Sequence, residues 1–173
     1  MDCEELPHTM KGETMAISRS LRTVLAGTAA ALAIGALSAP AAQASGAGNQ
    51  LSPEACKAHT DTSFDFTLWY NSSYSGSHRN FESGVNNFAD EPIGGSDPGT
   101  IPMPLRFCND WGNGSNVGVK NNAASAQNRN TRYNAVVFYR SWGQGARDTL
   151  TPMSSWFRLK ETYNNNASFD WRS

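Results

Sequence analysis

The chain has 173 residues, with 14 Lys+Arg against 15 Asp+Glu and a net charge of −1. Without a block of basic residues it lacks the phosphate-neutralising surface that a nucleic-acid partner requires. The first residues, 1–14, carry Asp2, Glu4, Glu5 and Glu13, the wrong sign for the start of an export signal, so translation is expected to begin at Met10 or Met15. Residues 15–44 then read as a secretory signal peptide. Arg19 and Arg22 precede an apolar run from Val24 to Leu37, and Ala42-Gln43-Ala44 makes a small-residue exit. That run is shorter than the ~20 residues a membrane span needs. A secreted, extracellular product starting at Ser45 is expected, with eleven Lys+Arg and eleven Asp+Glu and roughly 129 residues, enough for one domain with a real core.

Residues 45–63 form an N-terminal lead-in. Ser52 followed by Pro53 predicts a short helical turn over Ser52 to Ala58. Cys56 and Cys108 remain once Cys3 is removed, and in an oxidising compartment two cysteines most simply form one bridge. It would close a loop of about 53 residues, for which chain entropy gives roughly 4 kcal/mol. A metal-binding or nucleophilic thiol lacks both a C-x-x-C spacing and a nearby His.

From Phe64 onward one unit is used twice, over about 64–130 and 131–173. Phe64, Phe66, Leu68 and Tyr70 alternate with Asp65, Thr67 and Trp69, a period of two that predicts a strand with the first set on one face. Tyr70 is therefore expected to be buried and Trp69 to lie on the opposite face. Ala135 to Tyr139 reads in the same way. Both strands enter Gly-containing turns at Gly76 and Gly145, and both repeats continue to an asparagine-rich string, Asn121-Asn122-Ala123-Ala124-Ser125 or Asn164-Asn165-Asn166-Ala167-Ser168. The interval from Trp69 to Asn121 is twice that from Phe138 to Asn164. The excess falls around Asp90 to Asn109, where Pro92, Pro98, Pro102 and Pro104 with Gly94, Gly95 and Gly99 exclude a central strand and predict a long loop.

The mature chain has two histidines. His59 has Asp61 and Asp65 nearby but no nucleophile, and His78 follows a turn and reads as a solvated loop residue; neither H-E-x-x-H nor G-x-S-x-G occurs. No catalytic site is expected. Aromatic residues such as Trp69, Trp111, Trp142 and Trp156 suit either a carbohydrate platform or hairpin and core packing.

Trp69-Tyr70-Asn71-Ser72-Ser73-Tyr74-Ser75-Gly76 resembles the folded-hairpin signature of the βγ-crystallin Greek-key motif, and the two asparagine-rich strings resemble the Asn/Asp-Asn/Asp-x-x-Ser/Thr element of that superfamily. In the second repeat the aromatic Trp142 is one residue out of step, and Ala126 and Phe169 replace a second serine. With the export signal, the chain resembles the secreted peptidase-inhibitor family typified by the streptomycete metalloproteinase inhibitor, from about Phe66 to Trp171. The resemblance implies an all-β fold, a βγ-crystallin-like Greek-key β-sandwich of two repeated motifs with a long Pro/Gly-rich loop over 64–173. It also implies a monomeric inhibitor of an extracellular protease, first a metalloprotease, that requires no cofactor. Cleft blockage needs a pre-ordered loop, and Ile101, Pro102, Met103, Pro104, Leu105, Arg106 and Phe107 are the candidate contact segment, with Met103, Leu105 and Phe107 suited to a hydrophobic pocket. Calcium is the candidate ligand of the paired arches, through the oxygens of Asn121, Asn122, Ser125, Asn164, Asn165 and Ser168. The same residues also suit tight turns held by side-chain to backbone bonds. The alternative function is a calcium-binding structural module, or a cell-wall or carbohydrate-binding one, without inhibitory activity.

Overall fold

The computed structural model describes residues 47–92 and 102–173. The expected extension 1–14, the signal segment 15–44 and Ile101 lie outside the described residues. The alternating segment forms β1 (Phe66–Trp69), which pairs antiparallel with β2 (His78–Phe81) on one side and with β5 (Ser125–Asn128) on the other. β8 (Ser154–Trp156) lies beyond β5, giving the order β2-β1-β5-β8. In the second sheet β6 (Asn134–Arg140) is flanked by β7 (Gln144–Leu150) and β9 (Ser168–Arg172). Val85 adds a bridge to the open side of β9, its N–H donating to the Phe169 carbonyl at 2.7 Å and its carbonyl accepting from the Phe169 N–H at 2.9 Å.

Each sheet therefore holds three elements of one repeat and one of the other. β8, from the second repeat, closes the first sheet, and Val85, from the first, closes the second. The two Greek keys are interlocked by this exchange, and the result is the all-β, βγ-crystallin-like sandwich that the repeats imply. Between the sheets Phe66 stacks on Phe169 at 4.2 Å, while Leu68, Phe81, Ala126, Ala135, Val137 and Leu150 fill the same layer. Each large apolar side chain so buried is worth about 1.5–3 kcal/mol.

The hairpins repeat in detail. Ser73 (φ 61°), Tyr74 (54°) and Gly76 (73°) are left-handed in the first, and Trp142 (63°), Gly143 (67°) and Gly145 (81°) in the second. At Gly76 the chain approaches the Asn113 carbonyl so closely that a Cβ would lie 2.7 Å from it, which with the positive φ restricts the site to glycine.

All four residues of β1 are buried, so Trp69 is covered even though it lies on the face opposite Leu68. The cover is the lead-in. Ser52 caps the turn Pro53–Cys56 by accepting from Glu54 N–H at 3.2 Å. Asn80 Nδ2 donates to the Glu54 and Lys57 carbonyls, and the His59 ring meets Trp69 edge-on at 5.2 Å. Cys56 is bonded to Cys108, with Cα atoms 5.5 Å apart, so the lead-in is tied covalently to the inserted segment. That insert separates Phe88 from Asn121, whereas the equivalent Leu159 and Asn164 are nearly adjacent. Among its described residues, β3 (Glu91–Pro92) pairs with β4 (Pro102–Met103) in a two-residue antiparallel ladder.

Candidate functional site

The described part of the candidate contact segment starts in β4, and its Arg106 forms an isolated antiparallel bridge with Gly118. Leu105 N–H donates to the Phe88 carbonyl, Phe107 N–H to the Val117 carbonyl and Val119 N–H to the Leu105 carbonyl, each at 2.8 Å. This extended pairing imposes alternation. Leu105 and Phe107 point inward and are 0 % and 2 % exposed; Tyr70 meets Phe107 edge-on at 5.7 Å. The expectation that these two side chains present themselves to a protease pocket is corrected: they anchor the strand in the core. Met103, Pro104 and Arg106 are exposed.

The backbone of this strip is braced from beneath. Gln50 Nε2 donates to the Met103 carbonyl at 2.8 Å and Arg79 Nη1 to the Arg106 carbonyl at 2.7 Å. Arg79 is buried on β2, and its remaining bonds go to the Asn49 and Gln50 carbonyls. Burial lowers its guanidinium to about 10, so it is still charged at neutral pH. Nothing in the sequence marks Arg79 as a clamp, because every one of its partners is a backbone carbonyl.

A second pair of features lies at the arches. Asn121 N–H donates to the Asn166 carbonyl at 2.7 Å and Asn164 N–H to the Ala123 carbonyl at 2.9 Å, a crossed pair relating the two strings by a local two-fold. Beside each arch is a shallow dish. One, of about 350 Å³, is lined by Lys120, Asn121, Tyr139, Arg140, Ser141, Asn165 and Ala167. The other, of about 370 Å³, is lined by Tyr70, Asn71, Ser72, Asn113, Asn122, Tyr163 and Asn164. Four of the candidate calcium residues, Asn121 and Asn165 in one dish and Asn122 and Asn164 in the other, therefore line equivalent places, while Ser125 and Ser168 line neither.

The two serine hydroxyls and the amide nitrogens of Asn122 and Asn165 are nevertheless occupied by the fold. Ser125 Oγ donates to the Asn71 carbonyl at 2.6 Å and accepts from Tyr74 N–H at 3.1 Å. Ser168 Oγ does the same with the Arg140 carbonyl at 2.7 Å and Gly143 N–H at 3.1 Å. Both serines are buried pins of the folded hairpins. Asn122 Nδ2 donates to the Lys120 carbonyl at 2.9 Å and Asn165 Nδ2 to the equivalent Tyr163 carbonyl at 3.1 Å; Asn121 and Asn164 take the left-handed φ of 62° and 52° that asparagine tolerates. Neither dish is lined by a carboxylate, the usual anchor of a calcium ion.

His78, expected in a solvated turn, is instead the first residue of β2 and 2 % exposed. Its Nε2 lies 2.7 Å from the Lys57 carbonyl, and burial lowers its pKa, as it does for His59. Asp61 accepts from Thr60 and Asp65 from Asn130. No cluster of three or more His, Cys, Asp or Glu suited to a metal occurs among the described residues.

No family model matches the chain, and no curated protein matches it. A solved structure from work on the evolution of the eye lens beta-gamma-crystallin domain fold aligns at 13 % identity over 63 % of this chain and 85 % of that one, with a TM-score of 0.44.

Proposed function

We propose that the chain is an exported, monomeric inhibitor of an extracellular peptidase, with a metallopeptidase the first candidate, acting through the exposed strip Met103, Pro104 and Arg106. One observation carries the reading. The strip stands on a frame that is immobilised before any partner arrives, by Leu105 and Phe107 in the core, by Gln50 and Arg79 on its carbonyls, and by the Cys56–Cys108 bridge just beyond it. Inhibition without catalysis asks for such preorganisation, because a segment already ordered loses little conformational freedom on binding. A disulfide also persists best in an oxidising compartment, which supports export. Since the Met103 and Arg106 carbonyls are already engaged, contact falls to side chains rather than to an added β-strand.

The test is titration of thermolysin-like and subtilisin-like peptidases with the purified mature protein. Stoichiometric loss of activity toward a small substrate in at least one class is expected. Undiminished activity of both at micromolar protein would reject the proposal.

A further inference from the structure

We infer that the first arch dish carries a cation supplied by the chain itself, the Lys120 ammonium, and that neither dish offers a carboxylate, so that this βγ-crystallin-like fold neither binds calcium nor gains stability from it. In the first dish Lys120 Nζ lies 3.0 Å from Asn87 Oδ1 and 3.3 Å from Ser141 Oγ, and Ser141 Oγ donates to Asn87 Oδ1 at 3.0 Å. The three groups form a closed triangle. Asn87 follows Asn86, whose carbonyl accepts from Trp142 N–H at 2.6 Å, so the ammonium ties the exchanged segment of the first repeat to the hairpin of the second. It joins elements that an ion held between arch and hairpin would join.

Beside the second dish the equivalent positions carry a cation and its partner with the parts interchanged. Ser73 N–H donates to the Phe157 carbonyl at 2.7 Å, as Trp142 N–H does to that of Asn86. Arg158 is thereby the counterpart of Asn87, and Tyr163, one residue before Asn164, the counterpart of Lys120. The Arg158 guanidinium stacks over the Tyr163 ring at 4.0 Å, a cation–π contact. Here the exchanged segment supplies the cation and the arch supplies the electron-rich group; in the first dish the arch supplies the cation and the exchanged segment the oxygen. A divalent ion entering the first dish meets the Lys120 ammonium, and among the described residues neither dish has a lining carboxylate to attract it.

Calorimetry on the mature protein tests this, with calcium chloride compared against EDTA, alongside isothermal titration with calcium. Wild type is expected to show a Tm shift below about 1 °C and no saturable heat. Lys120→Asp removes the ammonium and adds a carboxylate. At ten times its dissociation constant calcium should then raise Tm by roughly 4 °C, and Lys120→Asn serves as the weaker-binding form if the aspartate variant fails to fold. Saturable calcium binding by wild type, or Lys120 variants as indifferent to calcium as wild type, would overturn the inference.

Discussion

The two repeats differ most tellingly at one position. Arg79 on β2 lies opposite Leu68, and Asp148 on β7 lies opposite the equivalent Val137. Both are buried charges on an outermost strand, and their signs are opposite. Arg79 faces the carbonyls of Asn49, Gln50 and Arg106. Asp148 faces N–H groups, accepting from Lys160 at 3.0 Å, Glu161 at 3.2 Å and Thr162 at 3.0 Å, and from the Thr162 hydroxyl at 2.8 Å. The sandwich is open at this point in both halves, and whatever segment covers it brings backbone polar groups that must be satisfied. A short turn presents donors and takes a carboxylate. The long insert and the lead-in present acceptors and take a guanidinium. The same Greek key thus covers this position with its own short turn in one copy and serves as a mounting for an added surface in the other.

That comparison breaks most visibly at the covalent tie, which only the first repeat has. Replacing Cys56 and Cys108 by Ala should lower unfolding stability by about 4 kcal/mol, measured by urea denaturation against the unaltered chain with and without reductant. Next comes the buried pair of charges. Asp148→Ala strips four donors of their acceptor and should cost about 3 kcal/mol, while Arg79→Met should cost about 2. Hydrogen exchange locates each loss: the amides of Lys160 to Thr162 should open in the first variant alone, and those around Arg106 in the second alone. Opening of both regions in either variant would mean that the repeats do not manage their covers separately.

Smaller effects sharpen the likeness rather than the difference. Ser125→Ala and Ser168→Ala remove the same pin from two hairpins, so each should cost about 1 kcal/mol and the double variant should be additive within about 0.5 kcal/mol, by thermal unfolding. The smallest effect belongs to His78. Burial holds its pKa below the ordinary 6.5, so the unfolded chain protonates first and stability falls as the pH drops below 6.5 toward the folded value. Buried Glu91, pushed up to about 7 by burial and by the Asp90 charge, acts in the opposite direction, its contribution being lost as the pH rises from 4.5 through about 7. The difference between wild type and His78→Gln across this range isolates the histidine; an unchanged slope would contradict its buried, neutral state.

Much of this was legible from residues alone. The period of two over Phe66 to Tyr70, the Ser52-Pro53 cap, the single bridge and the doubled hairpin-plus-arch plan all depend on local spacing or on simple pairing, and the fold realises them directly. The inserted segment was harder. Its Pro/Gly-rich stretch over 93–101 lies outside the described residues, and Leu105 and Phe107 read as loop side chains because the strand that buries them is completed by Val117 and Val119, supplied from farther along the chain. His78 differs from its expected exposure for a related reason: the lead-in folds back over the outer face of β1 and β2, and its few apolar residues give no hint of that. Lys120 and Arg79 were invisible as structural cations because their partners are amides, hydroxyls and carbonyls rather than carboxylates. Charge pairing, the signal a sequence offers, does not occur at either.

The proposed contact surface is the inserted strip and not the hairpin of the other repeat. Inhibition constants for one susceptible peptidase should be measured with the wild-type protein, with Met103→Glu plus Arg106→Glu, and with Trp142→Ala, whose indole is 69 % exposed on the second hairpin. The strip variant is expected to bind about 100-fold more weakly at unchanged Tm, with Trp142→Ala equal to wild type. Loss of inhibition in Trp142→Ala with the strip variant unaffected would contradict that assignment.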